Sequence, residues 1–253
     1  MACAGSVAIV TGASRGIGAA IARRLAKDGL RVACVARGKE AIEALAKETG
    51  GVAIEADVAS KGASERILAE TTERLGLVDV LVPNAGIEAS AKVTETSDET
   101  WDALMSVNAT SVFRLVRAAL PSMIARGHGR VVVVASNAGL TGYAYTSAYC
   151  ASKHAVVGLV RAVAAEIART GVTINAVCPG FVDTSMSDRA VARIREKTGR
   201  DEATARAALE KMSPQQRILS PNEVAHVVAS LLDEDARGVH GQAIALDGGQ
   251  TLR

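Results

Sequence analysis

The sequence alternates between short apolar runs and longer segments of helical period, and this alternation is the strongest constraint on its fold. Runs with the length of strands, rich in Val, Ile and Ala, are found at residues 7–11, 31–36, 51–56, 79–82, 130–136, 172–178 and 243–246. They are almost continuously apolar, as expected for parallel strands that are covered on both faces. Helical segments separate them, so the pattern predicts an α/β fold of successive βαβ units.

A single domain over residues 1–253 accounts for this pattern. A length of 253 residues is ordinary for one α/β domain, and we find no repeat, low-complexity tract or linker. One helix start is explicit, because Ser220, Pro221 and Glu223 supply an N-cap, a proline at the first helical position and the partner that closes a capping box. A charged stretch at about 185–212 interrupts the alternation, and we predict that it is a lid over a site rather than a solvated helical excursion.

Charge and cysteine content exclude several classes of function. The net charge is +2 and the basic residues form no run or stripe, so we expect no nucleic-acid partner. The first residues lack a basic segment, and no window approaches the roughly 18 apolar residues of a membrane span, so we expect a cytoplasmic protein. Because Cys3, Cys34, Cys150 and Cys178 lack metal-ligand spacing, we predict reduced, mostly buried thiols and no metal site.

A glycine-rich turn after the first strand predicts a nucleotide cofactor. Gly12, Gly16 and Gly18 permit a tight turn, and the helix that follows directs its N-terminal N–H groups towards a phosphate. The predicted cofactor-binding residues of this turn are Gly12, Ser14, Arg15, Gly16, Ile17 and Gly18.

The end of the second strand favours NADP over NAD. Units that bind NAD tend to carry an acidic residue there, whereas this chain has Ala36 followed by Arg37. Arg15 lies in the glycine turn and is predicted to reach the same 2′-phosphate. Guanidinium groups match phosphate oxygens in a bidentate fork, so the pair indicates NADPH as the cofactor.

The segment SAYCASKHAV at residues 147–156 offers two reactive pairs with helical spacing. Tyr149 and Lys153 are four residues apart, and so are Cys150 and His154. Residues four apart share one face of a helix. The first pair suits proton transfer by a phenol beside a cation, and the second suits a thiol nucleophile with a base.

Motifs along essentially the whole chain resemble the short-chain dehydrogenase/reductase family. They occur in the family's order, with Ser136 preceding Tyr149 by 13 residues. The motifs are TGASRGIG at 11–18, Asp57-Val58, Asn84-Ala85-Gly86, Asn108, Ser136, Tyr149-x-x-x-Lys153 and PGFVDT at 179–184. One departure is Pro83 before Asn84, which a strand end tolerates.

The resemblance implies a Rossmann-type, doubly wound, seven-stranded parallel sheet in the order 3-2-1-4-5-6-7, with helices on both faces. It also implies a homotetramer, for which the small residues Ala151, Ala155, Gly158, Ala162 and Ala165 along one helix are compatible. Packing of that stripe within the subunit is the alternative. The cofactor contacts that the family implies beyond the turn are Arg37, Asp57, Val58, Asn84, Ala85, Gly86, Tyr149, Lys153, Pro179, Gly180, Val182 and Thr184.

The implied reaction is NADPH-dependent reduction of a ketone to a secondary alcohol. Tyr149 donates the proton, Lys153 lowers the pKa of the phenol, and Ser136 holds the substrate oxygen. By the same analogy, Asn108 anchors a water that connects Lys153 to solvent. A thiol mechanism at Cys150 lacks an orienting acid and an oxyanion hole in the sequence, and a regulatory NADPH sensor has no need of the complete catalytic set.

The nearest resemblance is to 3-oxoacyl-thioester reductases and polyketide ketoreductases. All three tyrosines lie within residues 143–149, which indicates a pocket. The predicted substrate-binding residues are Ser136, Asn137, Ala138, Tyr143, Tyr145, Tyr149, Phe181 and Met186. Arg126, Arg130 and Arg169 are candidate contacts of an acidic acyl carrier protein or solvated charges. The alternative is a secondary-alcohol or 3-hydroxyacyl-CoA dehydrogenase that works in the oxidative direction.

Overall fold

Residues 5–252 are described by the computed structural model, and within them the strands form one parallel sheet of seven. The strands are β1 (Val7–Thr11), β2 (Arg31–Ala36), β3 (Val52–Glu55), β4 (Val78–Val82), β5 (Gly129–Val134), β6 (Val172–Pro179) and β7 (Ala243–Leu246). Their order in the sheet is β3-β2-β1-β4-β5-β6-β7, and every pairing is parallel. The predicted fold and strand order are confirmed.

Helices connect the strands and cover both faces of the sheet. They are α1 (Gly16–Lys27), α2 (Lys39–Thr49), α3 (Ala63–Leu75), α4 (Asp98–Met105), α5 (Ser111–Ala125), α6 (Ser147–Ile167), α7 (Ser185–Thr198), α8 (Glu202–Glu210) and α9 (Pro221–Ser230). One core lies between the sheet and α3, α5 and α6, and the other lies between the sheet and α1, α2 and α9. β1, β2, β4, β5 and β6 therefore bury most of both faces, which explains their apolar sequences, whereas the edge strands β3 and β7 are partly exposed.

The predicted helix start at Ser220 is confirmed. The Ser220 hydroxyl accepts from the Glu223 N–H at 3.3 Å, and the Glu223 carboxylate accepts from the Ser220 N–H at 2.8 Å. The ion pair with Arg217, together with the bond from the Ser220 N–H, lowers the pKa of Glu223 to about 2. The capping box between Ser220 and Glu223 and the ion pair of Glu223 with Arg217 together fix the beginning of α9.

The charged stretch at 185–212 folds as α7 and α8, which form a small core of their own. Val191, Ala205 and Leu209 are buried together, with Phe181 packed against them. Thr184 begins α7 by accepting from the Met186 N–H at 3.3 Å. We call α7 and α8 the lid helices after their predicted role, which stays a prediction.

Cys34, Cys150 and Cys178 are buried free thiols, as predicted, and Cys3 lies outside the described residues. Burial raises the pKa of Cys34 and of Cys178 to about 11 each. These thiols are therefore protonated and unreactive at neutral pH. None of the helices within residues 5–252 has the length and apolar character needed to cross a bilayer.

Candidate active site

A cleft of about 590 Å³ opens at the carboxyl ends of the strands. It lies where the strand order reverses, between β1 and β4, which is the usual ligand site of doubly wound sheets. Its walls come from the glycine turn, the loops after β2, β3, β4, β5 and β6, the start of α6, and α7. Nearly all the predicted site residues line it, and Gly18, Asn108 and Tyr145 are the exceptions.

The glycine turn brings backbone against backbone at one end of the cleft. Gly12 has a φ of +66°, and a side chain there would lie 2.9 Å from the Ala85 Cα. Gly16 has a φ of +56°, and a side chain there would lie 3.0 Å from Thr184 Cγ2. The turn thus requires glycine for both conformation and space, and it leaves the N-terminus of α1 facing the cleft. Gly18 lies behind it, where a side chain would overlap the Gly12 carbonyl.

Thr11, which the sequence reasoning missed, joins this turn to the loop after β4. Its buried hydroxyl accepts from the N–H groups of Asn84 and Ala85 at 3.0 and 3.1 Å. The Asn84 side chain donates to the Thr11 carbonyl at 2.9 Å. Pro83 costs no ladder bond here, because only its carbonyl is used, as acceptor from the Val134 N–H at 2.9 Å. The only sequence signal for this role of Thr11 was its position at the end of a strand.

Two arginines face the cofactor end of the cleft without acidic partners. Arg15 and Arg37 both line the cleft and are exposed, and neither forms an ion pair with any residue in the described range 5–252. Ala36 lines the same end and brings no carboxylate to it. The arrangement suits a phosphate on a ribose rather than the free hydroxyls of one.

Ser136, Tyr149 and Lys153 share the opposite wall. The strand predicted at 130–136 ends at Val134, because the Ser136 hydroxyl accepts from the Ala138 N–H at 3.1 Å and begins a short 3₁₀ turn. Tyr149 and Lys153 lie on the first turns of α6, and the Lys153 Nζ lies 5.8 Å from the centre of the Tyr149 ring. Lys153 is buried and donates to the Val134 carbonyl at 3.4 Å.

Burial dominates the pKa values of this pair, and the predicted lowering of the Tyr149 pKa by Lys153 together with the positive nicotinamide stays a prediction. Burial raises the pKa of Tyr149 to about 12, and hydrogen bonding with Ser136 opposes that rise. Burial lowers the pKa of Lys153 to about 8. The expected lowering of the tyrosine pKa by Lys153 is therefore not produced by the chain's own groups, because the loss of solvent outweighs the effect of a cation that makes no direct hydrogen bond to the phenol.

Asn108 supports the site from behind the cleft. It lies in a π-helical turn at Ser106–Thr110, where its side-chain oxygen accepts from the Ile87 N–H and its amide donates to the Ile87 carbonyl, both at 2.9 Å. The amide also donates to the Ser152 hydroxyl at 3.0 Å. Asn108 thereby ties the loop after Gly86 to α6, and its role in a water relay stays a prediction.

The second reactive pair of α6 does not form a thiol–base unit. The His154 Nδ1 pairs with the Cys150 carbonyl oxygen at 2.9 Å, not with the thiol, and the Cys150 Sγ contacts the Thr146 hydroxyl at 3.3 Å. Neither Cys150 nor His154 lines the cleft. The geometry therefore opposes a thiol mechanism at this site.

The substrate end of the cleft combines apolar and polar walls. Asn137, Ala138, Tyr143, Phe181 and Met186 line it as predicted. Tyr145 does not, because its backbone adopts a φ of +68° and its side chain is 59% exposed.

Glu88 and Arg189 are cleft residues that the sequence reasoning missed. Glu88 accepts from Arg193 of α7 at 2.7 Å and lies 3.9 Å from Arg189. No sequence signal pairs these charges, since they are about a hundred positions apart.

Comparison with known proteins agrees with this geometry. Residues 6–195 match the family model of short chain dehydrogenases. The chain is 42% identical to a Streptomyces coelicolor protein provisionally named a ketoacyl reductase, over 96% of each sequence. It is 38% identical to the 3-oxoacyl-[acyl-carrier-protein] reductase MabA of Mycobacterium tuberculosis, over 96% of this chain and 92% of that protein. A variant of the actinorhodin polyketide ketoreductase solved with NADPH superimposes with a TM-score of 0.94, at 40% identity and 98% coverage of both chains. The chain therefore belongs to the short-chain dehydrogenase/reductase family.

Proposed function

We propose that the protein is an NADPH-dependent ketoreductase that converts a 3-oxoacyl thioester, or a related keto compound, to the secondary alcohol. One observation carries the proposal. Ser136, Tyr149 and Lys153 converge on one wall of a cleft whose other end presents the N-terminus of α1 and two arginines without acidic partners. The named relatives that reduce ketoacyl and polyketide ketones support the same reaction class.

The residues of the cleft fit NADPH. The turn at Gly12 and Gly16 has no room for side chains and leaves space for a pyrophosphate, and Arg15 and Arg37 would hold the 2′-phosphate. Asp57, Val58, Asn84, Ala85 and Gly86 also line the cleft, and so do Pro179, Gly180, Val182 and Thr184, which would hold the nicotinamide. When bound, the cofactor supplies the hydride.

The chain's own residues supply the proton and the positioning. With a pKa of about 12, the Tyr149 phenol is protonated at neutral pH and is an acid ready to donate to the ketone oxygen. Ser136 holds that oxygen by a hydrogen bond. Lys153, whose pKa is about 8, carries its charge at neutral pH and stabilises the tyrosinate that remains.

Acyl-carrier docking receives no support from Arg130. Its guanidinium is only 2% exposed and pairs with Glu234 at 2.6 Å, at the amino end of β5 and away from the cleft. Arg126 pairs with Asp79, so Arg169 alone of these three arginines is exposed and forms no ion pair within residues 5–252. The substrate's carrier, whether a protein or coenzyme A, therefore stays open, and the cytoplasmic location stays a prediction.

Self-association through α6 forms part of the proposal. Ala155, Gly158, Ala162 and Ala165 are exposed on α6, and a side chain at Gly158 would meet no atom within 4 Å. These four residues are exposed within the subunit and Ala151 is half-buried, which favours contact with a second copy over internal packing. A flat helix face of small residues permits close approach of a second copy, as in the predicted homotetramer.

The test is NADPH consumption with acetoacetyl thioesters, cyclic ketones and aryl ketones, with NADH as the cofactor control. We expect turnover with NADPH, and we expect Tyr149→Phe to lower kcat by at least about 100-fold because the proton donor is lost. NADPH binding, followed by its fluorescence, should remain within about twofold of wild type, since the phenol proton plays no part in holding the phosphates. Undiminished turnover by Tyr149→Phe would exclude the mechanism, and binding without any turnover by wild type would favour a sensor.

A further inference from the structure

A hydrogen-bonded group of three side chains extends the catalytic wall beyond Ser136. Asn137 is buried, and its amide nitrogen donates to the Tyr143 hydroxyl at 2.8 Å and to the Gln250 side-chain oxygen at 3.1 Å. Its amide oxygen accepts from the Ser136 hydroxyl at 3.5 Å. One amide therefore connects the residue that holds the ketone oxygen with a second phenol.

The Tyr143 hydroxyl has a hydrogen left to donate. A phenol carries one donor and also accepts, and here the acceptor site is used by Asn137. No acceptor for the Tyr143 proton is found in residues 5–252, although a partly buried tyrosine hydroxyl normally has one. Burial, followed by the nearby Asp247, raises the pKa of Tyr143 to about 12, so the proton is present at any physiological pH. Tyr143 lines the cleft together with Ser136 and Tyr149.

We propose that Tyr143 is a specificity-determining residue, which donates this hydrogen bond to a second carbonyl oxygen of the substrate. The inference rests on the proposed ketone reduction. A substrate with one carbonyl held by Ser136 and Tyr149 and a second carbonyl two carbons along the chain satisfies both phenols. A ketone without the second carbonyl leaves the Tyr143 donor unpaired, which costs binding. The cleft therefore favours 1,3-dicarbonyl compounds, such as 3-oxoacyl thioesters, over simple ketones.

Gln250 positions this donor from the far end of the sequence. The Asp247 carboxylate accepts from the N–H groups of Gly249, Gln250 and Thr251 at 3.0, 3.1 and 2.9 Å. This turn fixes Gln250 against the Asn137 amide, which in turn orients the Tyr143 hydroxyl. Gln250 is thus a positioning residue, and Tyr143 makes the contact.

The experiment measures the activity of wild type and two variants with two substrates. Wild type, Tyr143→Phe and Tyr145→Phe are assayed at saturating NADPH with an acetoacetyl thioester and with a cyclic monoketone. We expect Tyr143→Phe to lower kcat/KM for the thioester by about tenfold, mostly through KM, and to change the monoketone by less than about twofold. Tyr145→Phe removes the same hydroxyl from an exposed side chain outside the cleft and should leave both rates unchanged.

Gln250→Leu provides a second variant that keeps the Tyr143 hydroxyl. It should lower the ratio of thioester to monoketone activity in the same direction, whereas a merely structural loss would lower both rates together. Equal losses on both substrates in Tyr143→Phe would overturn the inference and leave the reductase intact. Turnover of the monoketone alone by wild type would also overturn it, and absence of NADPH-dependent turnover with every ketone would overturn the proposed function as well.

Discussion

Lys153 is a residue whose burial opposes folding while it serves the chemistry. Burial lowers its pKa from 10.5 to about 8. Between these two values the unfolded chain binds more protons than the folded chain, so this group makes stability rise with pH across that window. At pH 7 the buried ammonium destabilises the fold by roughly 3 kcal/mol. The other groups of the cleft have to offset this cost.

We expect Lys153→Met to be inactive and more stable than wild type at pH 7. Methionine fills similar space without a charge to desolvate, so the free energy of unfolding should rise by about 1–3 kcal/mol. The gain should shrink as the pH rises from 8 towards 10.5, because wild type then loses its own buried charge. Urea denaturation at pH 7 and pH 10 measures both effects.

Lys61→Met is the matched control for that experiment. Lys61 is exposed, and its replacement should change stability by less than about 0.5 kcal/mol at either pH. A Lys153→Met protein that is less stable than wild type at pH 7 would show that the hydrogen bond to the Val134 carbonyl outweighs the desolvation.

Single residues were predictable where a short motif carries the chemistry. Ser136, Tyr149 and Lys153 were recognisable from their spacing along the sequence, and the structure places them on one wall of the cleft. The contact of Asn137 with Gln250 spans 113 positions, and no local pattern indicates it. Tyr145 was wrongly expected in the pocket, because a left-handed backbone at a non-glycine residue cannot be predicted from composition.

At the scale of elements, an ion pair holds the lid helix α7 to the loop after β4. Glu88 is mostly buried, lies 2.7 Å from Arg193, and has Arg189 near by. Since α7 lines one side of the cleft, this pair holds that wall to the loop after β4. Partly buried pairs of this kind are worth more than exposed ones, which contribute about 0–1 kcal/mol.

We expect Glu88→Gln to loosen α7. Amide hydrogen exchange across residues 185–198 should accelerate, and KM for the ketone should rise about two- to fivefold while the protein stays folded. Glu202→Gln is the control, because it breaks a more exposed pair with Arg195 inside the lid and leaves the loop contact intact. Unchanged exchange in Glu88→Gln would mean that the small core around Val191 and Leu209 holds the lid alone.

The strands were predictable to within one or two residues, because buried parallel strands stand out as apolar runs. The errors have local causes. The strand predicted at 130–136 ends early because Ser136 captures the Ala138 N–H. The π-helical turn at Ser106–Thr110 has no counterpart in the periodicity, and it is stabilised by contacts of Asn108 with a distant loop.

At the scale of the whole molecule, α6 has two different faces. Its buried face contributes Val156, Val160 and Ile167 to the core, and its opposite face exposes the small residues around Gly158. Phe113 of α5 and Trp101 of α4 are also 44% and 43% exposed, which is unusual for large apolar side chains. These features support a surface that a second copy of the chain covers.

Gly158→Glu should dissociate that assembly without damaging the subunit. The chain leaves open space at Gly158, and Glu is a better helix former than Gly by several tenths of a kcal/mol, so the subunit should fold. Light scattering after size exclusion should then report a smaller species than wild type. Ala41→Glu, on the exposed face of α2 across the sheet, should keep the wild-type mass. A wild-type monomer, or an unchanged mass for Gly158→Glu, would contradict self-association through α6.

The sequence predicted the sheet order through a family resemblance, but it did not reveal how the most distant parts of the chain meet. Periodicity reports which face of an element is buried, not which partner buries it. The contact of the Asp247 turn with the catalytic wall was therefore not predicted from the sequence. The turn itself is held by three N–H groups that donate to the Asp247 carboxylate.

Because of that turn, the catalytic wall depends on residues that are synthesised late. Ser136, Tyr149 and Lys153 are made about a hundred residues before Gln250, the side chain that braces Asn137. A ribosome-bound chain that has already folded β1 to β6 still lacks β7 and this brace. The cleft wall that carries Asn137 is therefore completed only after Gln250 has been synthesised.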